Sequence, residues 1–215
     1  MRTIKFFIIF LSLALAVSLS SQVRYGVEAG YIFNGLDATN VEYKSKPSFR
    51  IGGIVRYDAD IESGIYFSRR GMSLTDFAPK YADKIEKIDL YGNYIELVPF
   101  SISLPGKKIG DKFTINIDVG LYASYCLGAK GSAVIDGQTV ELKNIYRNTA
   151  LTVNGDNYDF KAFRPFDCGL NAGFKFVLCD KIFLRVYGSN SFINLTKYDK
   201  RISYVALGLS AGYML

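Results

Sequence analysis

The stretch that decides the fold is the last one, Ile202 to Leu215, reading ISYVALGLSAGYML. Val205, Leu207, Leu209, Ala211, Tyr213 and Leu215 are apolar, and the positions between them include Tyr204, Gly208, Ser210 and Gly212. That is a period of two, the spacing of a strand with one greasy face and one small or polar face. Such a strand can seal a sandwich or a soluble barrel. In an exported chain it also suits the closing strand of an outer-membrane barrel, and the rest of the sequence is read in that light.

Export is written at the other end. Arg2 and Lys5 precede an apolar run from Phe6 to Leu19, and Ser18, Ser20 and Ser21 surround a cleavage point. These are the three parts of a secretory signal. The alternative is a retained membrane helix, but 14 apolar residues fall short of the ~20 that span a bilayer. No cysteine follows the cleavage region, which argues against a lipid anchor. The expected organisation is therefore a signal peptide over 1–21 and one β-barrel domain over 22–215, with no composition shift to mark a further boundary.

After the signal no apolar run reaches helix-spanning length, yet hydrophobic residues make up 49% of the chain and aromatics 15%. Alternating strands let half of that content face lipid. The formal charge of +6 loses Arg2 and Lys5 with the signal, leaving +4 of mixed sign along the chain, too diffuse for a nucleic-acid surface. Cys126, Cys168 and Cys179 are odd in number, and alternation sets Cys126 and Cys168 on opposite strand faces, so no structural disulfide is expected.

Eight alternating segments are expected: Val23–Asn34, Ser48–Asp58, Asp60–Arg70, Tyr91–Leu104, Lys112–Gly128, Phe166–Leu178, Lys181–Phe192 and the closing Ile202–Leu215. In the fourth, Ile95 and Leu97 share one parity and Phe100, Ile102 and Leu104 the other, which a bulge near Pro99 reconciles. Segments two and three are separated only by the turn around Ala59, a tight hairpin. The connections after segments two, four and six are short, and those after one, three and five longer, with Ala129–Pro165 the longest. Short turns belong to the periplasmic side of such barrels, which puts both termini there.

The aromatics fall into two groups on the apolar parity. Tyr25, Tyr57, Phe113, Phe176 and Tyr213 lie near one set of strand ends, and Phe33, Phe49, Phe67, Tyr125 and Phe166 near the other. Pairs on one strand are eight to twelve residues apart. At ~3.3 Å rise and ~40° tilt that is roughly 20–30 Å, bracketing the ~25 Å apolar band of a membrane barrel. The fold class is accordingly all-β, an eight-stranded antiparallel up-and-down transmembrane β-barrel. A soluble lipocalin-like barrel, with the aliphatic face turned inward, is the alternative.

Several runs carry a family resemblance: GVEAGYIFNGL from Gly26, RIGGIVRYDADIESGIYFSRRGMSL from Arg50, YIELVPFSISLP from Tyr94, GLYASYCLGAKG from Gly120 and ALGLSAGYML from Ala206. In their order, and in the place of Pro99, the chain resembles the PorT-like family of small outer-membrane barrels of Bacteroidota over residues 23–215. The resemblance implies an eight-stranded barrel and no cofactor. Leu215 stands where many outer-membrane barrels end in an aromatic, which leaves Tyr213 to serve the insertion signal.

The chain has no histidine, which excludes a Ser/His/Asp triad, a His-paired cysteine and a His-rich zinc site. An acid–base carboxylate pair remains open. The candidate acids Glu28, Glu62, Glu96, Asp118 and Asp167 share the inward parity with the bases Arg50, Arg56, Arg70, Lys175 and Arg185. Five of each sign favours a neutralised, structural ion-pair network in the lumen, with Arg56 across from Glu62 and Asp118 near Lys175. Asn154–Asp159, NGDNYD, offers oxygen ligands for calcium but lacks the spaced glutamate of an EF-hand. Tyr146, Tyr158, Phe160 and Phe163 in the same loop either form a contact surface or pack on the rim.

No enzyme activity, cofactor or metal site is expected. Expected partners are outer-membrane lipid, the barrel-assembly machinery during insertion and an envelope protein, with no nucleic acid. Three roles stay open: a structural or surface-interaction barrel, an accessory to protein secretion, which the family resemblance suggests, and a narrow pore or small-molecule carrier.

Overall fold

A computed structural model describes residues 23–38, 42–58, 60–75, 85–110, 112–142, 149–153, 156–160, 163–195 and 202–215. In chain order the strands are β1 (Arg24–Ala38), β2 (Glu42–Asp58), β3 (Ile61–Thr75), β4 (Ile85–Leu104), β5 (Lys108–Ile109), β6 (Phe113–Ile135), β7 (Gln138–Leu142), β8 (Thr149–Val153), β9 (Asp156–Phe160), β10 (Phe166–Leu178), β11 (Ile182–Ser191) and β12 (Ile202–Met214). Eight of them close a ring in which every neighbour is antiparallel, β1-β2-β3-β4-β6-β10-β11-β12 and back to β1. Closure leaves no open edge in the ring, which a membrane-spanning sheet requires.

The closing pair is β12 on β1, running in unbroken register from Gly26↔Met214 to Ala38↔Ile202. The greasy parity faces outward: Val27, Ile51, Ile65, Leu97, Ile117, Phe174, Leu184, Leu207 and Leu209 are all exposed, while the alternate residues are buried. A soluble barrel inverts that arrangement, so this is the fold of a transmembrane barrel with a lipid-facing belt. Aromatics border the belt, Phe113 on Phe176 with ring centroids 6.4 Å apart at the short-turn end and Phe49 by Phe67 at 6.1 Å at the other.

The irregularity expected at Pro99 is present as a register shift between Leu97 and Phe100 on β4 against β6. The β2–β3 hairpin likewise keeps Arg56 opposite Glu62. Two expectations need correction. The connection after the first segment, expected to be long, is mostly strand, because β1 continues to Ala38 and β2 begins at Glu42. The stretch 129–165 is likewise largely paired: β6 runs on to Ile135, turns through Asp136 and Gly137 at positive φ, and returns as β7, with β8 and β9 forming a separate hairpin. Beyond the belt several outward positions carry charge, Lys46, Lys87, Asp89 and Lys130 among them, while the inward ones become apolar, so the alternation continues with its contrast reversed.

Those inward residues form an apolar plug at the long-strand end, made of Leu36, Leu74, Ile88, Leu90, Ala133, Ile135, Leu142, Leu195 and Tyr204. A second cluster, Ile54, Tyr66, Val98, Tyr122, Val177, Phe183 and Met214, sits among the inward charges toward the short turns. The signal stretch 1–21, Ala59, Tyr146, Asn154 and the side chains of Tyr158 and Phe160 lie outside the described residues.

Candidate functional site: the charged lumen

Because side chains alternate, every second residue of eight strands is driven into one narrow interior, which eight strands leave just wide enough to fill. The structure places Glu28, Arg50, Arg56, Glu62, Arg70, Glu96, Asp118, Asp167, Lys175 and Arg185 there, the most exposed of them, Arg56, at only 9%. Isolated, each would be prohibitively expensive to desolvate, so their pairing decides whether the fold stands.

Two knots hold them. In the first, Glu62 is the shared acceptor. Arg56 Nε and Nη2 each lie 2.8 Å from its Oε1, Lys175 reaches the same oxygen, and Arg185 Nη2 takes Oε2 at 2.7 Å. Arg185 in turn spreads over three carboxylates, adding Glu28 through Nη1 at 2.8 Å and Asp118 through Nε at 2.9 Å. The planar fork of arginine is what permits three acceptors at once. In the second knot Arg70 takes Glu96 at 2.8 Å and Asp167 at 3.1 Å, and Arg50 takes the other Glu96 oxygen at 3.1 Å.

The expected nearness of Asp118 and Lys175 is present, but as a diagonal and not as an ion pair. Asp118 lies opposite Gly173 and Lys175 opposite Asn116, so the two are diagonal on neighbouring strands, and each is claimed by a partner across the lumen instead: Asp118 by Arg185, Lys175 by Glu62. Contacts across the lumen depend on the stagger of the barrel, which strand-by-strand alternation does not encode.

Three buried inward tyrosines, Tyr66, Tyr122 and Tyr187, lie outside the expected charge network. Tyr66 joins the knots: its hydroxyl donates to Glu28 at 3.0 Å and its ring lies 3.5 Å beneath the Arg50 guanidinium. Tyr122 donates to Asp167 at 3.1 Å, and the Tyr204 ring, part of the apolar plug, lies 4.4 Å from the Arg70 guanidinium. Ser103 and Ser210 donate to Asp118 and Glu28 at 2.6 and 2.7 Å. Large rings fit because neighbouring inward positions are glycine: a Cβ on Gly208 would stand 2.1 Å from the Tyr187 ring. The signal that finds these residues is the inward pairing of tyrosine with glycine on adjacent strands.

What space remains is small. A cavity of about 30 Å³ touches Arg50, Glu62, Asp118 and Arg185, and one of about 10 Å³ touches Arg50, Arg70 and Glu96, each on the scale of single water molecules. Arg50 Nε, Arg70 Nε, Ser68 Oγ and Ser124 Oγ lack protein partners and are natural hosts for such waters. Each of the five lumen carboxylates is paired with a cation, and among the described residues no group of acids and cysteines is set to hold a metal. The arrangement locks side chains in place. The three thiols are free, with Cys126 turned inward and its Sγ 3.2 Å from the Asn93 carbonyl.

No family model matches the chain, and no curated protein matches it in sequence. Among solved structures it is similar to Neisserial surface protein A, with a TM-score of 0.51 at 12% identity over 90% of this chain and 99% of that one. It is also similar to Ail, the attachment invasion locus protein of Yersinia pestis, with a TM-score of 0.46 at 14% identity over 90% and 99%. At such identity the neisserial likeness speaks to the fold, an eight-stranded barrel of the outer-membrane type.

Proposed function

We propose that the chain is a small outer-membrane barrel of a Gram-negative envelope, exported by its signal, inserted by the barrel-assembly machinery and seated with both termini in the periplasm. Its role is structural or surface-interacting, carried by the strands that rise beyond the lipid belt, and it is neither an enzyme nor a carrier. The single observation that carries this is the lumen, where ten paired charges under an apolar plug leave cavities of only about 30 and 10 Å³. A barrel filled in this way offers partners its outside and its rim. The test is crosslinking in intact cells followed by purification from native membranes: recovery of a specific envelope protein, lost when 136–142 are replaced by a short turn, supports the reading.

A second reading rests on the resemblance to the PorT-like barrels. Its YIELVPFSISLP run coincides with the β4 irregularity at Pro99, whose carbonyl accepts a hydrogen bond from Ser63. The accessory role in secretion across the outer membrane comes from that resemblance alone. Co-purification with secretion components, and loss of secreted cargo on deletion, distinguishes it from the first.

A further inference from the structure

Just above the aromatic border on the outer surface, four strands place Lys46, Gly71, Tyr91 and Lys130 side by side in one row, through the pairs Lys46↔Gly71, Gly71↔Tyr91 and Tyr91↔Lys130. One step nearer the belt stand Phe49 and Arg69, themselves a pair. Lys46 Nζ and the Arg69 guanidinium each lie 5.1 Å from the centroid of the same Tyr91 ring. Gly71 makes this possible, since a Cβ there would come within 2.8 Å of that ring. Beside the ring a groove of about 320 Å³ opens, walled by Tyr31, Pro47, Phe49, Arg69 and Tyr91.

The charges are lopsided. Lys44 and Lys87 flank the row, and its one acid, Asp89, is taken by Lys46 at 2.8 Å and Lys87 at 3.2 Å. Among the described residues Arg69 and Lys130 have no carboxylate partner, although both are exposed. Asp89 offsets Lys46 and Lys87 only, so the row keeps an excess of positive charge at Arg69 and Lys130 that an anion would neutralise. Directly below, on the same outward face, Ile51, Phe67 and Ile95 are bare apolar surface.

We propose that this row is a binding site for the phosphorylated sugar headgroup of an outer-leaflet glycolipid of the lipid A type. The phosphate lies between Lys46, Arg69 and Lys130, the sugar rests on Tyr91 and Tyr31, and the acyl chains run down over Phe49, Phe67, Ile51 and Ile95. A free phosphate would use the cations but not the belt below them, and a plain phospholipid would leave the aromatic groove unfilled. The site rests on the orientation proposed above, since only with the termini in the periplasm does the row meet the outer leaflet.

The test uses the full mature chain folded into phosphatidylcholine vesicles and titrated with fluorescent bis-phosphorylated lipid A. The variant carries Lys46→Gln, Arg69→Gln and Lys130→Gln; Lys130→Gln alone serves as a milder probe, and Lys108→Gln with Lys181→Gln at the short-turn end as the control. A surface cation contributes roughly fivefold in affinity to an anionic lipid, so the triple variant should bind about 100-fold more weakly, the single variant about fivefold, and the control as wild type. Dephosphorylated lipid A, phosphatidylglycerol and inorganic phosphate should compete poorly. Equal binding by the triple variant and wild type, both migrating as folded barrels, overturns the site while leaving the barrel reading intact. Equal competition by phosphatidylglycerol or phosphate also overturns it. Protease mapping that puts the termini outside the cell defeats the parent reading instead, and the site with it.

Discussion

Arg56 and Glu62 face each other across the β2–β3 hairpin with Arg56 Nε 2.8 Å from Glu62 Oε1, and that same carboxylate is the meeting point of Lys175 and Arg185. One acid thus holds three cations in an interior with little free space.

Removing the acid should therefore hurt more than removing it with a cation. Glu62→Ala is expected to cost about 3–5 kcal/mol, the range for breaking a buried pair. Adding Lys175→Met should restore part of that loss, because Lys175 is 1% exposed and has no route to water. Adding Arg56→Ala should restore less, since Arg56 is the most accessible of the ten. Urea midpoints of the three variants in lipid vesicles check the order.

The lipid face should respond in the opposite manner to charge. Leu209 is 52% exposed and lies midway along the outward side of β12. Leu209→Arg is expected to destabilise by about 2–4 kcal/mol in a bilayer, whereas Leu209→Ala should cost far less. Similar costs for both, measured by the same unfolding titration, would mean that this face does not meet lipid.

The inward parity was legible because its contrast is chemical: Glu28, Arg50, Asp118 and Lys175 alternate with Ala29, Ile51, Val119 and Phe174 or Phe176. The partners were legible only where a tight turn fixes the register, as at Arg56 and Glu62. Arg185 meets Glu28 and Glu62 across the lumen, from strands far apart in the chain, and that depends on stagger. The extensions of β3, β4 and β6 were missed for another reason. Beyond the belt Lys87 and Asp89 replace aliphatics on the outward side of β4, so the pattern reads as loop although Ile88 and Leu90 keep the inward face.

The fit of rings over glycines gives a third expectation. Gly208→Ala would drive a methyl group into the Tyr187 ring, buried at 5% exposure. A loss of about 1–3 kcal/mol is expected. Adding Tyr187→Leu, which vacates the space, should recover part of it. A Gly208→Ala variant as stable as wild type by thermal gel shift would contradict this packing.

Acid should loosen the rim around Asp89. Burial pushes the Asp89 carboxyl up, but hydrogen bonds from Lys46, Ser73 and Lys87 outweigh it and hold the group below the usual carboxylate range. A lowered folded-state pKa contributes stability that is fully present above the unfolded value of about 3.9 and is lost as pH falls through the folded one. Amide exchange in 71–75 and 87–91 should therefore accelerate, relative to the chemical rate, as the pH falls below about 4. Asp89→Asn should show the faster exchange already at neutral pH and little further change.

The most direct measurement is electrical. The purified chain, shown to be inserted by its heat-dependent gel shift, is reconstituted into a planar bilayer and recorded under applied voltage. A lumen filled by ten paired charges and an apolar plug predicts no steady conductance from the wild-type protein. A reproducible single-channel current would contradict the filled lumen and make the barrel a pore.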